Sequence, residues 1–213
     1  MNGLFITFEG PDGSGKSTQL QRLVEFLQER NIDFIKTREP GGTTISDLIR
    51  QIILDPEHTK MASKTEILLY AASRAQHVEE VIKPALQLGK VVVCDRFVDA
   101  SIAYQGYGLG FGEEMIQEIN RFATGGLTPD RTFLIDVSPE IGRERMKARN
   151  AQEFNQSLDR IEQKELDYHQ RVRQGFLALA KSEARIKLVN GAESIEMIQE
   201  LIREDIQQLL RNR

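Results

Sequence analysis

Eight consecutive residues constrain this chain more than any other feature: Gly10-Pro11-Asp12-Gly13-Ser14-Gly15-Lys16-Ser17, matching G-x-x-x-x-G-K-[ST]. A short apolar run, Leu4 to Phe8, precedes them, and a helical pattern follows in which Leu20, Leu23, Val24 and Leu27 recur at i, i+3, i+4, i+7. Strand, glycine loop and helix in that order make a phosphate cradle. Glycines let the backbone curl so that several N–H groups face one anion, and the helix N-terminus adds partial positive charge. Residues Gly10 to Thr18 are then expected to enclose a nucleoside triphosphate, with Lys16 on its β and γ phosphates and the Ser17 hydroxyl as a ligand of Mg²⁺. A glycine-rich turn that only caps a helix leaves the match in this context unexplained.

Further runs, Phe34 to Lys36, Val91 to Cys94, Thr132 to Val137 and Ile186 to Val189, are β-branched or aromatic and read as strands. Helical periodicity fills Glu66 to Leu88, Glu113 to Ala123, Asp159 to Lys181 and Ser194 to Leu210. Uniformly apolar strands alternating with helices imply an α/β, doubly wound, five-stranded parallel sheet with helices on both faces. The 213 residues hold no low-complexity tract, repeat or proline-rich linker, so a single domain is expected. With 28 Lys and Arg against 32 Asp and Glu the formal charge is -4, so no broad field attracts nucleic acid or anionic lipid. Any phosphate must be held by local groups. One cysteine, Cys94, rules out an intrachain disulfide framework. With no membrane-length apolar run and no basic leader before Ile6, a cytoplasmic protein is expected.

A bound triphosphate can lose its γ-phosphate to water, pass it to a small acceptor, or drive a partner's conformational cycle. The base-reading N-K-x-D of GTPases is absent. Two apolar strands end in aspartate, at Asp95 and Asp136, and either carboxylate could face the metal. Asp95 is favoured because Arg96 follows it at the carboxyl end of a strand, where it could bridge donor and acceptor phosphates. Tyr70 and Arg74, four apart, share a helix face and offer a ring to stack on a base and a guanidinium to fork onto a phosphate. Core and rim roles account for such a pair equally simply, as they do for Arg50 after Glu39-Pro40-Gly41-Gly42. The cations Arg143, Arg145, Lys147 and Arg149, with the polar stretch after them, read either as a solvated helix or as a lid over about 143–160.

Together these residues resemble the bacterial thymidylate kinases, within the nucleoside monophosphate kinases. The likeness rests on Phe5-Ile6-Thr7-Phe8-Glu9-Gly10, Thr37-Arg38-Glu39-Pro40-Gly41-Gly42-Thr43, Leu69-Tyr70-Ala71-Ala72-Ser73-Arg74, Asp95-Arg96-Phe97, Ala103-Tyr104-Gln105-Gly106 and Leu158-Asp159-Arg160-Ile161-Glu162. It implies a P-loop NTPase fold, Mg²⁺ and ATP as donor, dTMP as acceptor, and a homodimer. It places Lys16 and Ser17 on the donor phosphates and metal, Asp95 and Arg96 between donor and acceptor, and Arg50 and Arg74 on the acceptor phosphate. It further implies Tyr70 stacked on thymine, Glu39 in the acceptor site, and Ser101, Tyr104 and Gln105 around base and sugar. Members with an acid in the loop, here Asp12, carry the catalytic arginine in the lid; Arg149 matches best, with Arg145 and Lys147 as alternates. Tyr70 departs from the usual phenylalanine and Phe97 from the usual tyrosine or histidine. A kinase of another small acceptor and a non-enzymatic nucleotide switch remain the alternatives.

Overall fold

A computed structural model describes residues 3–152 and 159–211, with side chains for 3–148 and 159–211. Strands β1 (Leu4–Glu9), β2 (Phe34–Arg38), β3 (Val91–Asp95), β4 (Arg131–Asp136) and β5 (Ile186–Asn190) form one parallel sheet in the order β2-β3-β1-β4-β5. Every residue of β1 is buried, as the uninterrupted apolar run requires of a central strand covered on both faces. The edge strands β2 and β5 are only half covered and carry Lys36, Arg38, Lys187 and Asn190.

Side chains of β1 alternate between two cores, as the two-residue period of a strand demands. Leu4, Ile6 and Phe8 pack with α1 (Lys16–Glu29) and α9 (Ile195–Arg211) through Leu20, Leu23, Leu27, Ile198, Ile202 and Ile206. Phe5 points the other way, to Val78, Ile82 and Phe97. Farther along that face, Leu134 and Ile186 meet Tyr104, Ile116, Tyr168, Val172 and Phe176, contributed in part by α6 (Glu113–Thr124) and α8 (Leu166–Ser182). The fold is thus the doubly wound α/β sheet that the alternation of runs implies.

Three segments differ from their periodicity. Glu66 to Leu88 is not one regular helix: α3 (Ser63–His77) passes through a π segment, Val78–Ile82, into α4 (Lys83–Gln87). Pro84 lacks an N–H and its ring crowds the carbonyl one turn back, so the wider turn before it relieves a clash an α-helix would suffer. Asp159 to Lys164 is a turn rather than the start of α8, because the Asp159 carboxylate accepts from the N–H groups of Ile161 and Glu162, both at 2.8 Å. The helical segment α5 (Val98–Ser101), continuing as a π segment over Ile102–Gly108, had no clear apolar period. The remaining helices are α2 (Thr44–Leu54), capped by Thr43 through its hydroxyl and the Ser46 N–H, and α7 (Pro139–Gln152).

Candidate active site

The loop after β1 needs its glycines for two reasons. Gly10 and Gly13 have φ of +134° and +75°, where L side chains are strained, and each backs directly onto other chain. A Cβ at Gly10 would lie 2.1 Å from the Ile135 carbonyl oxygen in β4, and one at Gly13 2.3 Å from that of Gly142 in α7. The loop is therefore pressed against the sheet and α7, with its N–H face turned to a cleft of ≈ 680 Å³. Asp12, Gly13, Gly15, Lys16, Ser17 and Thr18 line that cleft. Gly10, Pro11 and Ser14 support the loop from behind and are absent from its wall.

Lys16 folds back over the loop, donating to the Gly10 and Pro11 carbonyls at 3.0 and 2.7 Å. Burial, and then the Arg96 charge, lower its ammonium from the usual lysine value to about 8. Ser17 Oγ donates to Asp95 Oδ2 at 3.3 Å, so two hard oxygen ligands meet where α1 starts and β3 ends. The rival aspartate is committed elsewhere: Asp136 accepts both prongs of Arg173, at 2.8 and 2.7 Å.

β1 and β3 are neighbours, with Phe8 opposite Asp95, so the chain leaving β3 runs beside the phosphate loop at the carboxyl end of the sheet. There Arg96 adopts φ 68°, a left-handed conformation that costs an L-residue about 1–2 kcal/mol. From it the guanidinium donates to the Gly10 carbonyl at 3.1 Å, Asp12 Oδ1 at 2.5 Å and the Tyr104 hydroxyl at 3.1 Å. Tyr104 in turn donates to Asp12 Oδ2 at 2.9 Å. Burial by itself would raise the Asp12 carboxyl; the Arg96 and Lys16 charges, with the Tyr104 and Arg96 hydrogen bonds, outweigh it and bring Asp12 down to about 2. Asp12 thus holds Arg96 over the loop.

The other end of the cleft is lined by Glu39, Arg50, Tyr70, Arg74, Ser101 and Gln105. Arg74, only 2% exposed, has its charge matched by Glu39 at 2.6 Å. Its remaining prongs reach Ser101 Oγ and the Phe97 carbonyl, both at 2.9 Å, and Asn120 Oδ1. Arg74 therefore offers an anion little net charge. Arg50 differs: it donates to the Pro40 carbonyl at 2.9 Å and has no carboxylate in salt-bridge contact among the described residues. Phe97, unusual by the resemblance, is fully buried with its ring edge-on to Phe5, a place with no outlet for a hydroxyl. Burial, with the Glu66 and Asp159 carboxylates, raises the Tyr70 phenol, so the ring stays neutral.

Sequence reasoning missed Asn120 and Glu66. Glu66 accepts from Gln105 at 3.1 Å and pairs with Arg160 at 2.8 Å, tying the wall of the cleft to the turn after α7. Arg145 crosses from α7 to the Gly191 carbonyl at 3.0 Å and to Gly13 and Ser14 at 3.4 Å, beside the phosphate loop. The Arg149 side chain and residues 153–158 of the expected lid lie outside the described residues.

A parallel sheet with this loop, a Lys-Ser pair and an aspartate at the end of the adjacent strand defines a P-loop nucleotide-binding protein of the kinase type. Among known proteins, the thymidylate kinase family model matches residues 8–202. The thymidylate kinase of Exiguobacterium sp. is 54% identical over 201 residues, covering 94% of this chain and 92% of that one. That of Exiguobacterium sibiricum is 52% identical over 100% of this chain and 98% of its own. A crystal structure of thymidylate kinase from Ehrlichia chaffeensis aligns with a TM-score of 0.76 at 32% identity, over 97% of this chain and 99% of that one. The chain belongs to the thymidylate kinase family.

Proposed function

We infer that the cleft transfers the γ-phosphoryl group of ATP to the 5′-phosphate of dTMP, giving dTDP and ADP. One observation carries this beyond family membership: a single cleft has the phosphate loop at one end, the Tyr70 ring and Gln105 amide at the other, and Arg96 between them. The loop N–H groups, Lys16 and Ser17 bind the donor. Tyr70, Ser101, Tyr104 and Gln105 enclose the nucleoside of the acceptor, and Arg50 and Arg96 bring its phosphate into line. Arg74, already balanced by Glu39, shapes this end and supplies directed N–H donors rather than bulk charge. The acceptor phosphate is its own nucleophile, so no carboxylate is needed as a strong base. The transition state is loose and rich in charge, and the protein's contribution is alignment and neutralisation of oxygens.

Ser17 and Asp95 are hard oxygen donors in contact and suit Mg²⁺, which when bound screens phosphate charge on the donor. We assign residues 1–213 to one kinase domain with a lid over about 143–160 in which Arg149, backed by Arg145, closes on the triphosphate and excludes water. We place the protein in the cytoplasm; no helix among the described residues is long and apolar enough to cross a membrane. A homodimer is supported by the exposed Ile45, Leu48 and Ile52 of α2 beside Leu68 of α3.

The deciding experiment is ADP release from ATP with a panel of nucleoside monophosphates. Release that depends on dTMP supports the reading, release with another acceptor changes the substrate, and no release leaves a nucleotide switch. Tyr70→Ala should raise the KM for dTMP at least about tenfold, since a base stacked on an aromatic ring is worth about 1–3 kcal/mol. An unchanged KM returns Tyr70 to a packing role. A pH profile tests Lys16. Its protonated form binds triphosphate, so kcat/KM for ATP should hold to about pH 7.5 and then fall, approaching about tenfold per pH unit as Lys16 deprotonates through about 8. A level profile to pH 9.5 would show that Lys16 keeps its proton in the free enzyme.

A further inference from the structure

Glu9, the last residue of β1, is fully buried immediately before the phosphate loop. Its Oε1 accepts from the Phe97 N–H at 2.7 Å and the Ala100 N–H at 3.3 Å. Those two groups belong to the segment that follows Arg96 and would otherwise be unpaired beneath the cleft. The Arg96 N–H is also fastened to β1, by the Phe8 carbonyl at 3.0 Å. Arg96 thus makes its left-handed turn between two attachments to one strand, and that strand's next residue, Gly10, offers its carbonyl to the Arg96 guanidinium at 3.1 Å. The second carboxyl oxygen, Oε2, has no hydrogen-bond partner among the described residues. Burial, and then the neighbouring Asp99 carboxylate, push the group up to about 8. A buried acid left half-satisfied is costly, which argues that its one bonded oxygen matters.

We propose that Glu9 is a positioning residue: by clamping the Phe97 and Ala100 N–H groups it holds the strained Arg96 turn, and so keeps the Arg96 guanidinium aimed at the acceptor phosphate. This rests on the dTMP reading above. It assigns Glu9 no contact with either substrate; its effect passes through Arg96.

The test compares two ligands that differ by the phosphate. Calorimetric titration of Glu9→Ala with dTMP should show binding weakened about tenfold, whereas thymidine, which has no phosphate for Arg96 to hold, should change by less than about twofold. ATP affinity should stay within about threefold of the original protein. Glu9→Gln keeps a carbonyl Oε1 in the place that accepts both N–H groups, so dTMP binding should recover to within about threefold. In an Arg96→Ala background, Glu9→Ala should weaken dTMP no further, the non-additivity expected when one residue acts through another. Should Glu9→Ala fail to fold, Glu9→Asp, too short to span both N–H groups, carries the same comparison. Equal weakening of dTMP and thymidine, no change in either, or the same factor with Arg96 absent would overturn the proposal. Protein with Glu9 intact that binds neither ligand is a different failure: it removes the dTMP reading itself and this inference with it.

Discussion

Arg96→Ala should lower kcat for dTMP phosphorylation by about 10³-fold while leaving ATP affinity within a few fold. Three observations set the size of the effect. Arg96 stands over the loop beside Lys16, bonded to the Gly10 carbonyl and Asp12. It is held in a φ 68° turn, a strain that is sustained only where the surroundings over-determine the conformation. Burial opposes its charge, but the Tyr104 and Asp12 partners outweigh that and hold the guanidinium well above the usual arginine value, so it stays protonated. In the resting cleft Asp12 and Tyr104 occupy its donors; an incoming acceptor phosphate must take their place. Arg96 then exchanges one anion for another, and Asp12 gives up its ion pair but keeps the hydrogen bond from the Tyr104 hydroxyl. Lys16 and the loop N–H groups remain to bind ATP, hence the small effect on donor affinity. The measurement is steady-state kcat alongside an equilibrium ATP titration. Near-normal turnover would remove Arg96 from the reaction, and a parallel loss of ATP binding would show it to be part of the donor site.

Much of this geometry was legible before any coordinates because it is encoded locally. The phosphate loop is one contiguous block between a strand and a helix. Tyr70 and Arg74 face one cleft because they are one helical turn apart. Asp95 and Arg96 follow an apolar run that could only be a central strand, and the preference for Asp95 over Asp136 is supported by the Arg173 fork on the latter.

The features that escaped are those that depend on topology. Glu39 and Arg74 lie 35 positions apart, and Glu9 and Phe97 88 apart; they meet only because β3 inserts between β1 and β2. No periodicity marks Asn120 or Glu66 as partners of a site. Nor does residue type announce that Arg96 is left-handed, since that conformation is ordinarily left to glycine, asparagine or aspartate. Nor does the sequence show that the Arg74 charge is balanced, because its partner Glu39 lies just past the end of β2. The π segments were missed because their period is neither that of a helix nor that of a strand.

That balance gives the largest expected change in stability. Glu39→Ala should cost roughly 3–5 kcal/mol, because it strands a guanidinium that is buried from water with no other carboxylate against it among the described residues. The same carboxylate also bonds His77 Nδ1 at 2.9 Å, and His77 is fully buried with its other nitrogen 2.6 Å from the Thr37 hydroxyl, so the imidazole loses one of its two partners as well. For a domain of this size each kcal/mol shifts Tm by roughly 2–4 °C, and a fall of about 10 °C or more is expected at pH 7. Arg38→Ala provides the contrast: its pair with Asp47 is as well formed at 3.0 Å, but the side chains are 49% and 45% exposed, and such pairs contribute only about 0–1 kcal/mol. The sharper comparison is Glu39→Ala joined to Arg74→Met, which removes both charges and should regain part of the lost stability, since a buried ion pair is costly to break but often cheap to replace whole. Melting curves of the three variants decide it. If Glu39→Ala melts within about 2 °C of the unaltered protein, water or another carboxylate reaches Arg74, and the guanidinium would then be free to act as the phosphate-gripping cation after all.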